Sequence, residues 1–517
     1  MAKQAINRRQ VSRTASIPAP TGGWNARDSI SNMPPTDAVQ LDNFFPKATV
    51  IALRDGYTNH VTGITGTPET LVAYNGTSAL KLFAANSNAI YDVTASGPVG
   101  AAVVAGLTNG RWQHTNISTA GGQFLYMVNG VDAPELYNGT AWQAVTAVSA
   151  PIAITGVTTT NLIHVNLWKN RIFFTEKNTL KVWYLPTSSV GGAASAIDFT
   201  SLFTDGGYMM AMATWTIDAG YGMDDHAVFI TSQGQVAVYR GTDPASASTF
   251  ALVGVYTIGS PVGRRCFAKY GSDLIIICQD GLMPLSKALM SSRVNTATSL
   301  TDKIQQAMSE AVTISGSLFG WECQVFPKNN MVILNVPYNS STTYQFVMNS
   351  ITGSWCRFLG WNATCWEMFN EDMYFAVPGK ICLAFSGTSD NGLSIAGDAT
   401  QAFSFFGANT SLKRFLLARP ILYADSPSVG VSLGAAIDFD LNATLNTPTF
   451  SSIGNVGIWD SSVWDGAVWG GDLALRKDWL NIQGVGYAAA LRIKTSSLAS
   501  QLQWASTDWV YEYGGIV

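Results

Sequence analysis

The sequence is short of charged side chains. Lys, Arg, Asp and Glu make up 12% of its 517 residues, about half the usual fraction in soluble proteins. Charged residues are depleted at the centres of subunit interfaces. The shortage therefore favours a chain that buries a large area against neighbouring subunits, with an extracellular β-protein of neutral, hydroxyl-rich surface as the alternative. The net charge is −4, and no long basic stripe of the kind that grips duplex DNA occurs.

The sequence also lacks the motifs of enzymes and metal proteins. None of the six cysteines forms a CxxC pair, and the four histidines show neither HxH nor HExxH spacing, so no metal site is indicated. No P-loop, GxSxG elbow, EF-hand or nonapeptide calcium repeat is present. We therefore expect no catalytic activity, no cofactor and no metal.

A glycan hydrolase remains a minor alternative, because it needs only two facing carboxylates and no local motif. The sequence alone cannot bring its acidic candidates together: Asp224, Asp225, Glu322, Glu367, Glu371 and Asp372.

Long apolar runs are missing as well. No run of about 18 apolar residues exists, so no membrane span is expected, and residues 1–20 lack the apolar core of a signal peptide. All six cysteines fall between residues 266 and 382, mostly in apolar, strand-like runs. We interpret them as buried free thiols of a protein assembled in a reducing cytoplasm.

Helical periodicity is scarce, and the pattern is that of an all-β protein. One helix is predicted from Ser299 as N-cap, with Leu300, Ile304, Ala307, Met308 and Ala311 on one face. A second, short helix is allowed at 37–44, with Ala38 and Leu41 pointing inward.

Seven hairpins recur along the chain, each an apolar strand, a short polar turn and a second strand. They begin about 42 to 57 residues apart, which is the chain length of a four-stranded propeller blade. The spacing predicts a six- or seven-bladed β-propeller over 59–394, with a pair of β-sandwiches as the alternative. The hairpins are 82–93, 124–137, 172–184, 228–239, 274–285, 331–347 and 373–385.

Two flanking regions differ from the hairpin array. Residues 1–58 begin with a basic tail and continue as a proline-rich extended arm; the tail is either solvated or docks on an acidic partner. Residues 395–517 are predicted to form a Trp-rich, β-sandwich-like domain. Trp459, Trp464 and Trp469 recur every five residues, which indicates tight turns. Core and subunit-interface roles are equally open for them.

The segment from Gly22 to Tyr57 resembles the opening of a family of phage virion proteins, the tail nozzle proteins of short-tailed bacteriophages. The resemblance rests on GGWNARD, on Met-Pro, on Ala-x-x-Leu-x-Asn-Phe-Phe-Pro and on Leu-Arg-x-Gly-Tyr. It covers under a tenth of the chain. The matching positions are Gly22, Gly23, Trp24, Asn25, Arg27, Asp28, Met33, Pro34, Ala38, Leu41, Asn43, Phe44, Phe45, Pro46, Leu53, Arg54, Gly56 and Tyr57.

The resemblance implies a structural protein of the virion tail, assembled in the host cytoplasm as a homo-oligomer, a hexameric ring below the portal. It implies contacts with the adaptor (head-to-tail connector), with tail fibre or needle proteins, and with double-stranded DNA that passes during genome ejection without sequence-specific binding. The resemblance also implies that residues 395–517 form a platform or nozzle tip. The chain is shorter than the largest nozzles, which argues against extra tip domains and fibre-docking sites. We expect Trp24, Arg27, Asp28, Phe44 and Phe45 at a subunit or adaptor interface, together with Trp459, Trp464 and Trp469.

The alternative within the same setting is a receptor- or glycan-binding tail protein that uses its propeller surface. Its candidate loop aromatics are Trp112, Trp361 and Trp366.

Overall fold

The computed structural model describes residues 11–218, 223–246, 248–291, 298–425, 430–447, 473–498 and 500–514. The chain divides into two compact units. The larger unit consists of Asn59–Gln345 and Gly360–Ala384, and the smaller unit of Met1–Thr58, Phe346–Leu359 and Phe385–Val517. The chain therefore crosses between the units four times.

Seven antiparallel sheets follow one another through the described part of the larger unit, and we number them blades 1 to 7. Each predicted hairpin supplies the second and third strands of one blade. Blades 1 to 4 have four strands each. Blade 1 consists of Thr70–Asn75, Leu80–Ala85, Ala89–Asp92 and Ala102–Ala105, and blade 2 of Gln113–Thr119, Gly122–Val128, Glu135–Tyr137 and Trp142–Ala144. Blade 3 consists of Leu162–Trp168, Arg171–Glu176, Lys181–Tyr184 and Ser195–Asp198, and blade 4 of Met209–Asp218, Met223–Thr231, Gln235–Gly241 and Phe250–Thr257.

Blade 5 has the strands Phe267–Tyr270, Asp273–Cys278 and Gly281–Pro284, and blade 6 begins with Glu322–Phe326, Met331–Pro337 and Thr343–Asn349. Blade 7 has Cys365–Phe369, Asp372–Val377 and Lys380–Ala384. Its fourth strand is Tyr57–Thr62, which pairs with Lys380–Ala384. A strand from the N-terminal part of the chain thus completes the last blade, and this pairing closes the ring.

The blades pack face to face in chain order, and the last one packs on the first. Phe83 of blade 1 and Leu125 of blade 2 share one apolar cluster. The same cluster type joins blades 2 and 3, 3 and 4, and 4 and 5. The first strand of blade 6 contacts the first strands of blades 5 and 7. Cys365 of blade 7 packs with Leu82 of blade 1. This cyclic packing makes the larger unit a seven-bladed β-propeller, which confirms the predicted fold and selects seven blades.

Two helices, Leu285–Ser291 and Gln305–Ser315, follow the last strand of blade 5, and 3-10 turns occur at Ile30–Asn32, Thr159–Asn161, Asp302–Ile304 and Pro327–Asn329. The helix predicted from Ser299 therefore forms as a 3-10 turn and then an α-helix, with Ile304 and Met308 buried. Ser299 is not its N-cap, because the turn begins at Asp302 and Thr301 holds the N-cap position; the Ser299 hydroxyl accepts from the Thr301 N–H at 3.2 Å.

The smaller unit is built from two sheets. The first has the order Ala474–Arg476, Lys413–Ala424, Leu502–Tyr513, Ile51–Leu53 and Phe44–Pro46, with Arg13–Pro18 and Leu480–Gly486 pairing at its sides. The second contains Trp355–Phe358, Asp37–Asp42, Ile395–Gln401, Ala489–Ser497 and Val431–Ile437, with Gly23–Trp24 alongside Asp37–Asp42.

The two sheets lie face to face. A side chain at Gly484 of the first sheet would collide with Ile437 of the second, and a Cβ at Gly397 of the second would lie 2.7 Å from Phe44 of the first. Such close approach is the packing of a β-sandwich, and we call this the sandwich unit.

Two sequence expectations need correction. Residues 37–44 do not form a helix: Asp37–Asp42 is a strand that pairs with Ile395–Gln401, and tertiary pairing outweighs the weak helical pattern. The division at 58 and 394 also differs from the structure. The arm of 1–58 is part of the sandwich unit, and the propeller unit ends at 384 because the chain from Phe385 onward pairs with Gly56 and Tyr57.

Candidate functional site

The phage-like motif converges on one buried ion pair in the sandwich unit. The Arg54 guanidinium is 1% exposed and donates to both oxygens of Asp390, at 2.8 and 2.7 Å. Its remaining donors reach Asn43 Oδ1 at 2.9 Å and the carbonyls of Asp55 and Leu359 at 3.0 Å. All five guanidinium N–H groups can thus be used in one fixed geometry, which only arginine provides.

Asn43 joins three segments that are far apart in the sequence. It has a left-handed φ of 58°, which Asn tolerates better than most residues. Its side-chain oxygen accepts from the Leu359 N–H at 2.8 Å as well as from Arg54, and its amide donates to the Ala396 carbonyl at 2.7 Å. The motif residue Asn43 therefore ties the N-terminal segment to 346–359 and to the C-terminal segment.

The end of the motif requires glycine at position 56. The Gly56 N–H donates to the Gly387 carbonyl at 2.8 Å, and a side chain at Gly56 would collide with the Ser389 carbonyl. Tyr57 continues this contact in a parallel bridge with Asp390. Leu-Arg-x-Gly-Tyr is thus a docking element for the chain that follows Ala384.

The start of the motif forms a tight turn. The Asn25 side-chain oxygen accepts from the N–H groups of Arg27 and Asp28, and its amide donates to Asp37 at 2.7 Å. Arg27 and Asp28 form an ion pair of 2.8 Å at the surface. Trp24 packs its ring edge-on against Phe346, 5.4 Å between centroids.

The predicted interface residues therefore separate into four groups, the first of which is Trp24, part-buried against Phe346. Arg27 and Asp28 face solvent, with side chains 46% and 27% exposed. Phe44 and Phe45 are buried in their own chain, which corrects the expectation that they lie on an interface. The reason is that their strand belongs to the first sandwich sheet, and Phe44 packs against Gly397 of the second sheet. Trp459, Trp464 and Trp469 lie outside the described residues.

A second polar site lies where the innermost strands of the propeller blades meet. A cavity of about 250 Å³ is lined by residues of several blades, among them His114, His164, Arg265 and Glu322. Arg265 donates to Glu322 at 3.2 Å, to Thr70 Oγ1 at 2.6 Å and to the Glu69 and Trp112 carbonyls. One arginine therefore links blades 1, 2 and 6 across the channel.

Two histidines and a glutamate at this channel have pKa values far from those usual for their side chains. Burial, and then the charge of Arg265, lowers the pKa of His114 to about 4. Burial, and then Arg264 and His114, lowers the pKa of His164 to about 3. Burial, and then Glu322, raises the pKa of Glu367 to about 8. His114 Nε2 lies 3.4 Å from Glu367, so the pair holds one proton and no net charge near neutrality.

Two of the hydrolase candidates do come together here. The Trp366 N–H donates to Glu322 at 3.2 Å, which places the next residue, Glu367, beside Glu322. Glu322 is nonetheless occupied, because Arg265, Gln324 and Trp366 donate to its two oxygens. Within the described residues, no group of three or more His, Cys, Asp or Glu side chains is placed to hold a metal ion.

The aromatic residues proposed for glycan binding are not available at a surface. Trp112, Trp361 and Trp366 are at most 1% exposed. Trp361 stacks on Phe375 at 5.3 Å, and Trp366 donates from its ring nitrogen to Asn335. They are core residues of the propeller, which overturns their assignment as a lectin surface.

All six cysteines are free and buried, as predicted. Burial raises the pKa of the Cys266, Cys323 and Cys365 thiols to about 12, so these thiols stay protonated and unreactive. In the described residues, no helix is long and apolar enough to cross a membrane.

Sequence reasoning named Arg54 only as a motif position and did not single out His114, His164, Arg264 or Arg265. Asp390 was missed entirely. Their partners lie up to several hundred residues away, so no local pattern marks them. The one available signal is Arg264-Arg265 itself, a charged pair at the start of an apolar strand in a chain poor in charge.

Comparison with known proteins identifies no family. No family model and no curated protein matches the sequence. Solved structures similar to this chain include BBS1N in complex with ARL6DN, at 9% identity over 64% of this chain and 97% of that one, with a TM-score of 0.39. The Cps50 (Swd1) β-propeller domain of Myceliophteria thermophila is 11% identical over 63% and 98%, with a TM-score of 0.36. An exo-β-1,3-galactanase of Phanerochaete chrysosporium is 9% identical over 77% and 97%, with a TM-score of 0.24. At these scores the likenesses support no assignment of function.

Proposed function

We propose that this protein is a non-catalytic structural subunit of a short-tailed phage tail, a nozzle protein that forms a ring below the portal and adaptor. The observation that carries the proposal is the role of the phage-like motif. Within Gly22–Tyr57, the side chains of Asn25, Asn43 and Arg54 make hydrogen bonds that hold three segments of the sandwich unit together. A motif whose residues make such contacts stabilises the fold of the unit and does not supply catalytic groups.

The surface of the sandwich unit supports an assembly role. Trp479, Val485 and Tyr487 lie in or beside the strand Leu480–Gly486 and are 42%, 58% and 45% exposed. Apolar side chains grouped at one place on a surface are typical of a protein–protein interface. The low overall charge points the same way.

A non-catalytic role fits the chemistry of the propeller channel. Glu322 is held by three donors, and Glu367 lies 3.4 Å from His114. Charged side chains bridge the blades across this channel. In the proposed ring, DNA would therefore pass along the axis between subunits and not through the propeller of any one subunit.

The first test is the mass of the purified protein in solution, together with negative-stain images of the same sample. We expect a closed ring with a central hole, six-fold by the family resemblance. A protein that stays monomeric both alone and with the adaptor would contradict the proposal. If that monomer bound host-envelope glycans on an array, the receptor-binding alternative would replace it.

A further inference from the structure

A second cavity of the propeller unit, of about 240 Å³, is lined by three arginines: Arg111, Arg264 and Arg265. The loop 316–321 forms the opposite wall and places Phe319 among the guanidinium groups. The Arg111 guanidinium carbon lies 4.5 Å from the centroid of the Phe319 ring, and that of Arg265 lies 5.3 Å from it. The aromatic ring thus holds two of the cations side by side.

Two of the arginines have a carboxylate of their own. Arg111 pairs with Glu69 at 3.0 Å through Nε, which leaves its terminal nitrogens free of that bond. Arg265 pairs with Glu322 at 3.2 Å. Each pair is neutral by itself, so the charge of the cavity depends on the third arginine.

Arg264 has no such partner. Among the described residues its guanidinium donates to a neutral group, the Asn129 carbonyl, at 3.2 Å. The nearby Asp132 carboxylate is occupied by Thr108, Asn109 and Asn129. Burial of the guanidinium and the positive charge of Arg111 lower the pKa of Arg264. A cation held this way is destabilised until an anion joins it.

The loop contributes further donors. In the described part of the chain, the backbone N–H groups of Ser317 and Phe319 donate to no protein acceptor. Guanidinium groups and unpaired backbone N–H groups together are the usual partners of a phosphate oxyanion. The cavity is smaller than the pockets that take drug-sized ligands, so it has room for a small anion or for one group of a larger one.

We propose that the cavity beside Arg111, Arg264 and loop 316–321 is a binding site for a phosphate-class oxyanion. The anion is held by the free donors of Arg264 and Arg111 and by the loop N–H groups, while Arg265 stays with Glu322. The phosphate group comes either from a small molecule or from a nucleic acid backbone. The site does not depend on the proposed role in a phage tail.

The test is calorimetric titration of the full-length protein with inorganic phosphate, pyrophosphate, citrate and a short single-stranded oligonucleotide, all at one ionic strength. We expect saturable binding of pyrophosphate, one per chain. Arg264→Gln and Arg111→Gln should each weaken it about tenfold or more. The matched control is Arg240→Gln, an exposed arginine of blade 4, which should bind as the wild type does.

The remaining outcomes decide the source and the assignment. Oligonucleotide binding that weakens in Arg264→Gln indicates a nucleic acid backbone, and pyrophosphate binding alone indicates a small molecule. No saturable binding of phosphate or pyrophosphate up to millimolar concentrations overturns the proposal, as does tighter binding of citrate. Arg264→Lys guards against misfolding, because it keeps the charge but loses the planar fork and should still bind several-fold more weakly.

Discussion

The two units of this protein are assembled from the chain in opposite ways. Each propeller blade is a run of consecutive residues, and only the closing strand Tyr57–Thr62 comes from far away. In the sandwich unit, distant segments alternate: Arg13–Pro18 pairs with Leu502–Tyr513, and Asp37–Asp42 pairs with Ile395–Gln401. Local contacts cost little loop-closure entropy, whereas contacts across hundreds of residues cost more and form later.

The same contrast holds for buried polar groups. The sandwich unit concentrates them where its three segments meet, at Arg54 and Asp390. The propeller unit places Arg265 and Glu322 in its channel, where the innermost strands of several blades face one another. Polar groups therefore specify pairing in the sandwich unit and line a channel in the propeller unit.

The strongest way to break this comparison is to delete residues 1–57. The deletion removes strands from both sandwich sheets but leaves the seven blade hairpins intact. We expect the sandwich unit to lose its fold and ring assembly to stop, while the propeller unit remains resistant to protease. Limited proteolysis with mass spectrometry measures this. The control deletes residues 1–11 and keeps every described strand. Normal virions carrying the longer deletion would contradict the prediction.

Arg54→Met should have the next largest effect. It leaves the Asp390 carboxylate buried without its partner, which costs about 3–5 kcal/mol of unfolding free energy. Urea denaturation with hydrogen exchange should place the loss in the sandwich unit. Arg419→Met is the matched control, because its pair with Asp508 is partly exposed and is worth about 1 kcal/mol or less. Equal losses for the two variants would show that Arg54 is not the junction.

Acid should weaken the propeller unit through its channel histidines. Their lowered folded pKa values mean that only the unfolded chain gains their protons as pH falls from 6.5 towards 4. Glu367 and Glu135, with raised pKa values of about 8 and about 7, oppose these two protons between about pH 4.5 and 6.5. Each histidine therefore contributes a slope of about 1.4 kcal/mol of unfolding free energy per pH unit below pH 6.5, and the two carboxyl groups offset this contribution until the pH falls below about 4.5.

His164→Gln removes one of the two histidine protons, so the slope of unfolding free energy against pH between pH 5 and 6 should be lower than in the wild type by about 1.4 kcal/mol per pH unit. Urea denaturation at half-unit pH steps measures the slope. Asn166→Ala is the control, since it alters the same cavity without a titratable group and should shift the curve without changing its slope. A slope unchanged in His164→Gln would rule out the neutral histidine.

Arg27→Ala should have the smallest effect on stability. The Arg27 side chain is 46% exposed, and surface changes of this kind stay within about 0.5 kcal/mol. If the turn at Arg27 contacts the adaptor, the variant should fold normally but bind the adaptor more weakly, as measured by sedimentation of the mixed proteins. The reversed pair Arg27→Asp with Asp28→Arg is a useful second variant, because it keeps the charges and changes their places. Unchanged adaptor binding in both variants would remove Arg27 from the interface.

The sequence by itself determined the hairpins of the propeller, whereas the number of blades and the closing strand were decided by the tertiary structure. Seven hairpins at regular spacing carry their own strand periodicity and turns, so blade content can be predicted from local pattern. The buried cysteines follow in the same way, since each lies in an apolar run whose burial does not depend on distant partners.

Only the tertiary structure decided how the ends of the chain are used. Local pattern at 37–44 suits a helix, yet the strand forms because Ile395–Gln401 offers it a partner. From the sequence, Phe44 and Phe45 are expected to contact another protein from an extended arm, yet both are buried in the sandwich unit. Arg54 meets Asp390 and Arg265 meets Glu322 across long stretches of chain. Side-chain periodicity reports which face of a strand is apolar, but it carries no information about which distant strand will lie against that face.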